Sequence, residues 1–194
     1  MAERYEYPPT EFDPKPRRTR TPGQRRYVYF FALLALAAFV AIADHASKKF
    51  IVNHLPVGRA HTFIPGILRI THVVNTGAAF SFLADSASPD LVRKGLIFFS
   101  VAAVFIVGIM LLRSCACFSK TCIALALILG GAVGNLYDRI VYHYVIDFID
   151  VHIGPYHWPD FNFADSAIVI GACLLVLEIF RPQPEDSTTS KAST

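Results

Sequence analysis

The sequence predicts an α-helical polytopic membrane protein: four transmembrane helices with a small extracytoplasmic β-sheet on the membrane surface. Three observations predict it. First, 54% of the 194 residues are hydrophobic and only 17% charged, with a mean hydropathy of +0.43. An ordinary soluble domain has about 45–50% apolar and about 25% charged residues. Second, the apolar excess is gathered into four charge-poor runs. Third, the two long connections between those runs are polar, aromatic and punctuated by Pro and Gly. Disorder of the whole chain is excluded, because it needs low hydrophobicity and high net charge, and the formal charge is only +3. The length allows one domain and leaves little room for a separate soluble catalytic unit.

Residues 1–26 are polar, with Pro8, Pro9, Pro14, Pro16 and Pro22 opposing regular structure. They read as a disordered basic tail. Its run Arg17-Arg18-Thr19-Arg20 suits nucleic acid in other settings, but beside a membrane helix it reads as a topology signal. The apolar runs place helices at 27–43, 95–112, 121–137 and 166–180, the last with Glu178 near its end. At about 1.5 Å per residue, each crosses most of a roughly 30 Å hydrocarbon core. The first is no cleaved leader, since Asp44-His45-Ala46-Ser47-Lys48 is a poor cleavage site and three more runs follow.

The connections 44–94 and 138–165 are the long loops. In the first, His61–Ile64 and Ile67–Val74 are β-branched and partly alternating, so they are expected to be short strands. In the second, Tyr142, Tyr144, Tyr156 and Trp158 suit a membrane–water interface. Residues Arg113 to Lys120 form a tight turn, and 182–194 a second tail. The membrane domain is therefore 27–181. Seven Lys/Arg precede Tyr27, which puts both termini in the cytoplasm and both long loops outside.

The cysteines Cys115, Cys117, Cys122 and Cys173 suggest no disulfide framework. Cys115-Ala-Cys117 lacks a second ligand pair, and the seven histidines show no H-E-x-x-H spacing, so no metal is expected. No Ser–His or Cys–His set stands out either. Ionisable groups at spanning segments are expensive and each demands a reason. Asp44 ends helix one and Lys48 lies four residues on, a helical pair. Asn135, Asp138 and Arg139 lie at the end of helix three, and Asp165 opens helix four. Any one of these acids alone reads as a cap, an ion pair or a solvated charge. Asp147, in Val145-Ile146-Asp147-Phe148, and Asp165, in Phe161-Asn162-Phe163-Ala164-Asp165, each present a carboxylate at the outer interface. The chain between them is long enough to fold back and bring them together. Two carboxylates in a poorly solvated site cannot both ionise cheaply, so one keeps its proton, and such a pair can hold a water between base and acid. Gly130 to Gly134 is a small-residue face for close helix packing. Asn135 can donate to a substrate carbonyl or cross-link helices, and the sequence leaves both readings open. The Asn75-Thr76-Gly77-Ala78-Ala79-Phe80 segment suits a chain turning back into the interface.

Five segments in order resemble lipoprotein signal peptidase (signal peptidase II), a bacterial family that trims lipid-modified prolipoproteins. They are Asp44-His45-Ala46-Ser47-Lys48, Asn75-Thr76-Gly77-Ala78-Ala79-Phe80-Ser81-Phe82, Gly130 to Arg139, Val145-Ile146-Asp147-Phe148-Ile149-Asp150, and Phe161-Asn162-Phe163-Ala164-Asp165-Ser166. The resemblance implies an aspartyl protease without cofactor, with Asp147 and Asp165 as its catalytic pair. It implies substrate-binding roles for Asn75, Asn135, Arg139 and Asn162, and supporting roles for Asp44, Lys48, Gly77 and Asp138. It implies a bacterial inner-membrane location, with prolipoprotein substrates and membrane lipids as partners, and no nucleic acid, no metal and no required oligomer. Two positions depart from the family pattern: His45 stands where Gln is usual and His143 where Gly is usual. A non-glycine at 143 disfavours positive φ, so a different local turn is expected there. Two other functions compete. A proton-coupled transporter would thread several acids across the core, and a non-catalytic assembly factor would tolerate loss of both aspartates.

Overall fold

The computed structural model describes residues 22–77, 89–114 and 119–181. Most of the basic tail, Ala78 to Phe82 of the second matched segment, Cys115 and Cys117, and the tail 182–194 lie outside the described residues. The element order is α1 (Pro22–His54), β1 (Ala60–Ile64), β2 (Leu68–Asn75), α2 (Pro89–Ser114), α3 (Lys120–Val141), β3 (Val145–Ile153), β4 (Tyr156–His157) and α4 (Phe163–Ile179). Three stretches, Arg26–His54, Asp90–Ser114 and Lys120–Val141, are long and apolar enough to cross a membrane. The fourth helix has 17 residues.

Each expected apolar run lies largely inside a helix, but the helices overrun them. The connection expected from residue 44 onward is helical as far as His54. Asp44 therefore does not end its helix. It lies well inside it, because Asp44 and Lys48 pair one turn apart and no breaker intervenes before Pro56. Helix α3 likewise runs on to Val141, four residues past its expected end, so Asp138 and Arg139 sit with Asn135 on its last turns rather than opening the loop.

The third helix is the hub, packing against α1, α2 and α4. Its glycines permit this. A Cβ on Gly130 would meet the Ala37 carbonyl oxygen at 2.5 Å, and one on Gly134 would meet Asp44 Oδ2 at 2.8 Å, both on α1. A Cβ on Gly131 would meet the Ala164 carbonyl oxygen on α4. With little hydrophobic force between helices in lipid, such close backbone approach carries the association. A buried cluster of Leu33, Leu111, Cys122, Leu125 and Ala126 fills the space between α1, α2 and α3.

The sheet is antiparallel in the order β1-β2-β3-β4. Two of its strands match the expected ones closely. The other two were not anticipated, and β3 is the sheet's longest strand. Its Val145 to Phe148 stretch is buried on both faces, so it lacks the alternation that marks a half-buried strand. Between Ile70 and Val73 the pairing of β2 with β3 shifts by one residue, a bulge on β2. The bulged residues are anchored: Thr71 Oγ1 donates to Asp160 Oδ1 at 3.2 Å, and His72 Nδ1 lies 2.6 Å from the Leu55 carbonyl oxygen.

The turn after α3 keeps the conformation that the sequence argued against. His143 has φ 69°, and its N–H donates to the Asp138 carbonyl at 3.1 Å, closing the helix with a left-handed residue. A side chain there costs about 1–2 kcal/mol, which the surrounding packing of α3 and β3 overrides.

Candidate active site

Four elements converge at one end of the helix bundle: the last turns of α3, the edge of α4, strand β3 and the end of β2. Asp147 is buried, while Asp165 is half-buried. Asp147 follows two apolar residues on β3 that hold the strand between sheet and helices. Asp165 is the third residue of α4 and completes a capping box. Its Oδ2 accepts from the Asn162 backbone N–H at 3.3 Å, and the Asn162 side chain accepts from the Asp165 N–H at 3.0 Å. A bridge between Ile149 and Phe161 brings the start of α4 against β3 and sets Asn162 beside Asp147.

The two carboxylates are joined through asparagines. Asp147 Oδ1 accepts from Asn162 Nδ2 at 2.8 Å, and Asp147 Oδ2 accepts from Asn75 Nδ2 at 2.8 Å. Asp165 Oδ1 accepts from Asn135 Nδ2 at 2.8 Å. Asn162 Nδ2 also lies 3.4 Å from Asn135 Oδ1, which closes the chain from one acid to the other. The orientation of each amide is forced. Asn135 Oδ1 faces the Lys48 ammonium at 3.1 Å, a group that only donates. Asn162 Oδ1 faces the Asp165 N–H, and Asn75 Oδ1 accepts the Gly77 N–H at 2.8 Å. Each amide oxygen is thus claimed by an obligate donor, and each NH2 is left to face a carboxylate.

Gly77 supplies its turn at φ 91°, where a Cβ would meet Leu96 Cδ1 at 2.5 Å. Asn75 pairs with Val145, two residues from Asp147 on one face of β3, and so reaches it diagonally.

Behind the asparagines lies a buried ion triad. Lys48 Nζ is 2.6 Å from Asp44 Oδ2 and 2.6 Å from Asp138 Oδ2. The other oxygen of Asp44 accepts the Ala164 N–H at 2.9 Å, in the first turn of α4. A negative charge at a helix N-terminus is favourable. The triad therefore ties α1, α3 and α4 together while fixing Asn135. Arg139 is half-buried, donates to the Asn135 carbonyl at 3.1 Å, and lies in the field of Asp165 and Asp147. Asp147 is pushed up to about 6. Burial penalises its charge and the Asp165 charge adds to this, against the opposing Asn75 and Asn162 donors.

All ten sequence-predicted site residues lie in this assembly. His45, the first departure, packs its ring edge-on against Tyr137 at 5.3 Å between centroids and parallel to Tyr142 at 6.4 Å. Sequence reasoning missed the Ala164 backbone N–H, whose only signal is its place after the Asn162 cap. It also gave no role to Asp150, which pairs across strands with Arg69.

Two carboxylates linked through asparagines, at one end of a bundle with three helices of membrane-spanning length, mark a multi-pass membrane protein with a polar site suited to catalysis. Two solved bacterial membrane enzyme structures have this fold. One matches with a TM-score of 0.66 and 26% identity over 84% of this chain and 94% of that one. The other has a TM-score of 0.65 and 30% identity over 78% and 94%. The model of the family described as signal peptidase (SPase) II matches residues 36–181. Proteins named lipoprotein signal peptidase are similar over most of their length. That of Pseudomonas fluorescens (strain Pf0-1) is 45% identical over 151 residues, 76% of this chain and 86% of its own. That of Syntrophus aciditrophicus (strain SB) is 41% identical over 156 residues, 79% and 95%. The chain belongs to the signal peptidase II family of membrane proteases.

Proposed function

We propose that the protein removes signal peptides from diacylglyceryl-modified prolipoproteins, cleaving just before the lipidated cysteine with Asp147 and Asp165 as an aspartyl pair. The observation that carries this reading is the Asn162–Asn135 bridge, which holds two carboxyl groups in one donor-lined site. In this reading α4 makes a fourth crossing, both termini are cytoplasmic, and the sheet and the site face outward. The division into a basic tail 1–26, a membrane domain 27–181 and a tail 182–194 belongs to the same proposal. A proton-coupled transporter is disfavoured, because the described acids of the site gather at one end of the bundle instead of threading it.

Burial and the Asp165 charge leave Asp147 holding the shared proton, so Asp165 takes one from water. Protonated Asp147 gives its proton to the scissile carbonyl oxygen as the water oxygen bonds to the carbonyl carbon, and a neutral tetrahedral diol forms. The proton on Asp165 then passes to the leaving amine as the C–N bond breaks, and one hydroxyl of the diol returns its proton to Asp147 as the carbonyl reforms. Asn75 and Arg139 add donors where charge develops. A substrate anchored in the same bilayer arrives in one orientation, which lowers the entropic cost of the attack. All of these groups come from one chain, so a second copy is not required.

The test is cleavage in bilayers of a synthetic prolipoprotein with and without its diacylglycerol thioether. The expected product begins at the lipidated cysteine and forms only from the lipidated substrate. Cleavage elsewhere, or equal cleavage of both substrates, overturns the reading. The pH profile follows from the single-proton requirement. As pH rises through about 6 the free enzyme loses the Asp147 proton, so kcat/KM is expected to fall on that alkaline side. The Asn75 donor favours the charged form, so Asn75→Ala is expected to move this limb to higher pH. A limb that stays in place removes Asp147 as its origin.

A further inference from the structure

Asp147 and Asp150 are three residues apart on an unbulged strand, so their side chains lie on opposite faces of the sheet. The face carrying Asp150 holds a second cluster. His152 follows Asp150 by two residues on the same face, and His157 on β4 pairs directly with His152. Oxygen Oδ1 of Asp150 lies 3.0 Å from His152 Nε2 and 2.8 Å from His157 Nε2. Yet that oxygen is buried and accepts no hydrogen bond. Its partner oxygen Oδ2 is taken by Arg69, with Nε and Nη2 each at 2.6 Å, and by His152 Nε2 at 3.2 Å. A buried carboxylate oxygen without a hydrogen bond is costly, and more so when it carries charge. The short contacts of Oδ1 to the two imidazole nitrogens lie outside hydrogen-bond geometry, as ligands aimed at a shared point would, although His152 Nε2 also reaches Oδ2.

We propose that Asp150, His152 and His157 form a binding site for a divalent transition-metal ion of the zinc class. One oxygen and two imidazole nitrogens, all within 4.8 Å of one another, are offered. Nitrogen and carboxylate ligands suit zinc, with bonds of about 2.0–2.2 Å and a tetrahedral ligand spacing of about 3.3–3.5 Å. The present spacing is a few tenths of an ångström tighter, and both imidazoles have room to move outward, at 27% and 48% side-chain exposure. Arg69 is the outer partner that orients the ligating carboxylate. Three protein ligands leave a fourth position open to water. The ion clips β3 to β4 just before the chain runs on to Asn162, a path already pinned by the Trp158 N–H on the Val151 carbonyl at 2.9 Å. It enters no step of the proteolysis, and the inference does not depend on that reading.

The test uses the full chain in detergent, stripped by a chelator, on a Cys115→Ser and Cys117→Ser background that removes the closely spaced Cys-x-Cys thiols. Cobalt(II) is titrated while its visible absorption is followed, and zinc is then used to displace it. One equivalent is expected to bind. His152→Gln with His157→Gln is expected to weaken uptake at least about tenfold. Both residues lie at the surface, so folding is expected to survive, and the single His157→Ala variant serves as a check. Zinc is expected to raise Tm in the parent and not in the double variant. No stoichiometric uptake, which would leave an ion pair only, or unchanged uptake in the double variant overturns the proposal.

Discussion

Asp147→Asn and Asp165→Asn are each expected to lower the cleavage rate by about 100- to 10,000-fold, the range that a positioned acid or base contributes. Substrate capture should persist, because the donors on Asn75, Asn135, Asn162 and Arg139 remain. The substitutions are not silent for stability. Both oxygens of Asp147 accept from amide NH2 groups, so an asparagine there turns its own NH2 towards one of them. That mismatch costs about 1–3 kcal/mol. Both oxygens of Asp165 are also engaged, one by Asn135 and one by the helix cap. Folding must therefore be measured alongside the rate. Asp147→Glu and Asp165→Glu keep charge and acceptors but displace the carboxyl, and they should be slow as well. A folded Asp147→Asn protein that cuts at the parental rate removes the mechanism.

Much of this site was legible in the sequence, and the parts that were not share a physical cause. Helices announce themselves through apolar runs, and the spacing of Asp44 and Lys48 announces their pairing. The extent of α1 does not, because residues 44–54 mix charge with Phe50, Ile51 and Val52 and are held helical by a tertiary triad. Strand β3 escaped because it is buried on both faces and interrupted by acids, so no alternation shows. Asn135 had two readings, substrate donor or helix cross-link. Its geometry now ties Lys48 to Asp165, a choice that depended on three elements meeting. The Asp150, His152 and His157 cluster becomes visible only once the hairpin places His157 across from His152.

Lys48→Met is expected to cost about 3–5 kcal/mol, the penalty for removing one member of a buried ion pair. The loss leaves Asp44 and Asp138 facing one another without the ammonium that each contacts at 2.6 Å. A thermal melt in detergent reads this directly. If charge is the cause, the remedy is neutralisation rather than a new charge. Asp44→Asn and Asp138→Asn added to Lys48→Met should recover most of the stability, since Asp44→Asn keeps an oxygen for the Ala164 N–H. Buried ion clusters are often replaced by neutral groups at little cost. Activity should not return with stability. Without the ammonium, Asn135 Oδ1 has lost the donor that fixes its orientation, and its NH2 no longer has a single direction towards Asp165. The triple variant thus separates two roles of Lys48. Recovered melting with impaired cleavage assigns it to positioning Asn135, whereas parallel recovery of both reduces it to a structural counter-ion.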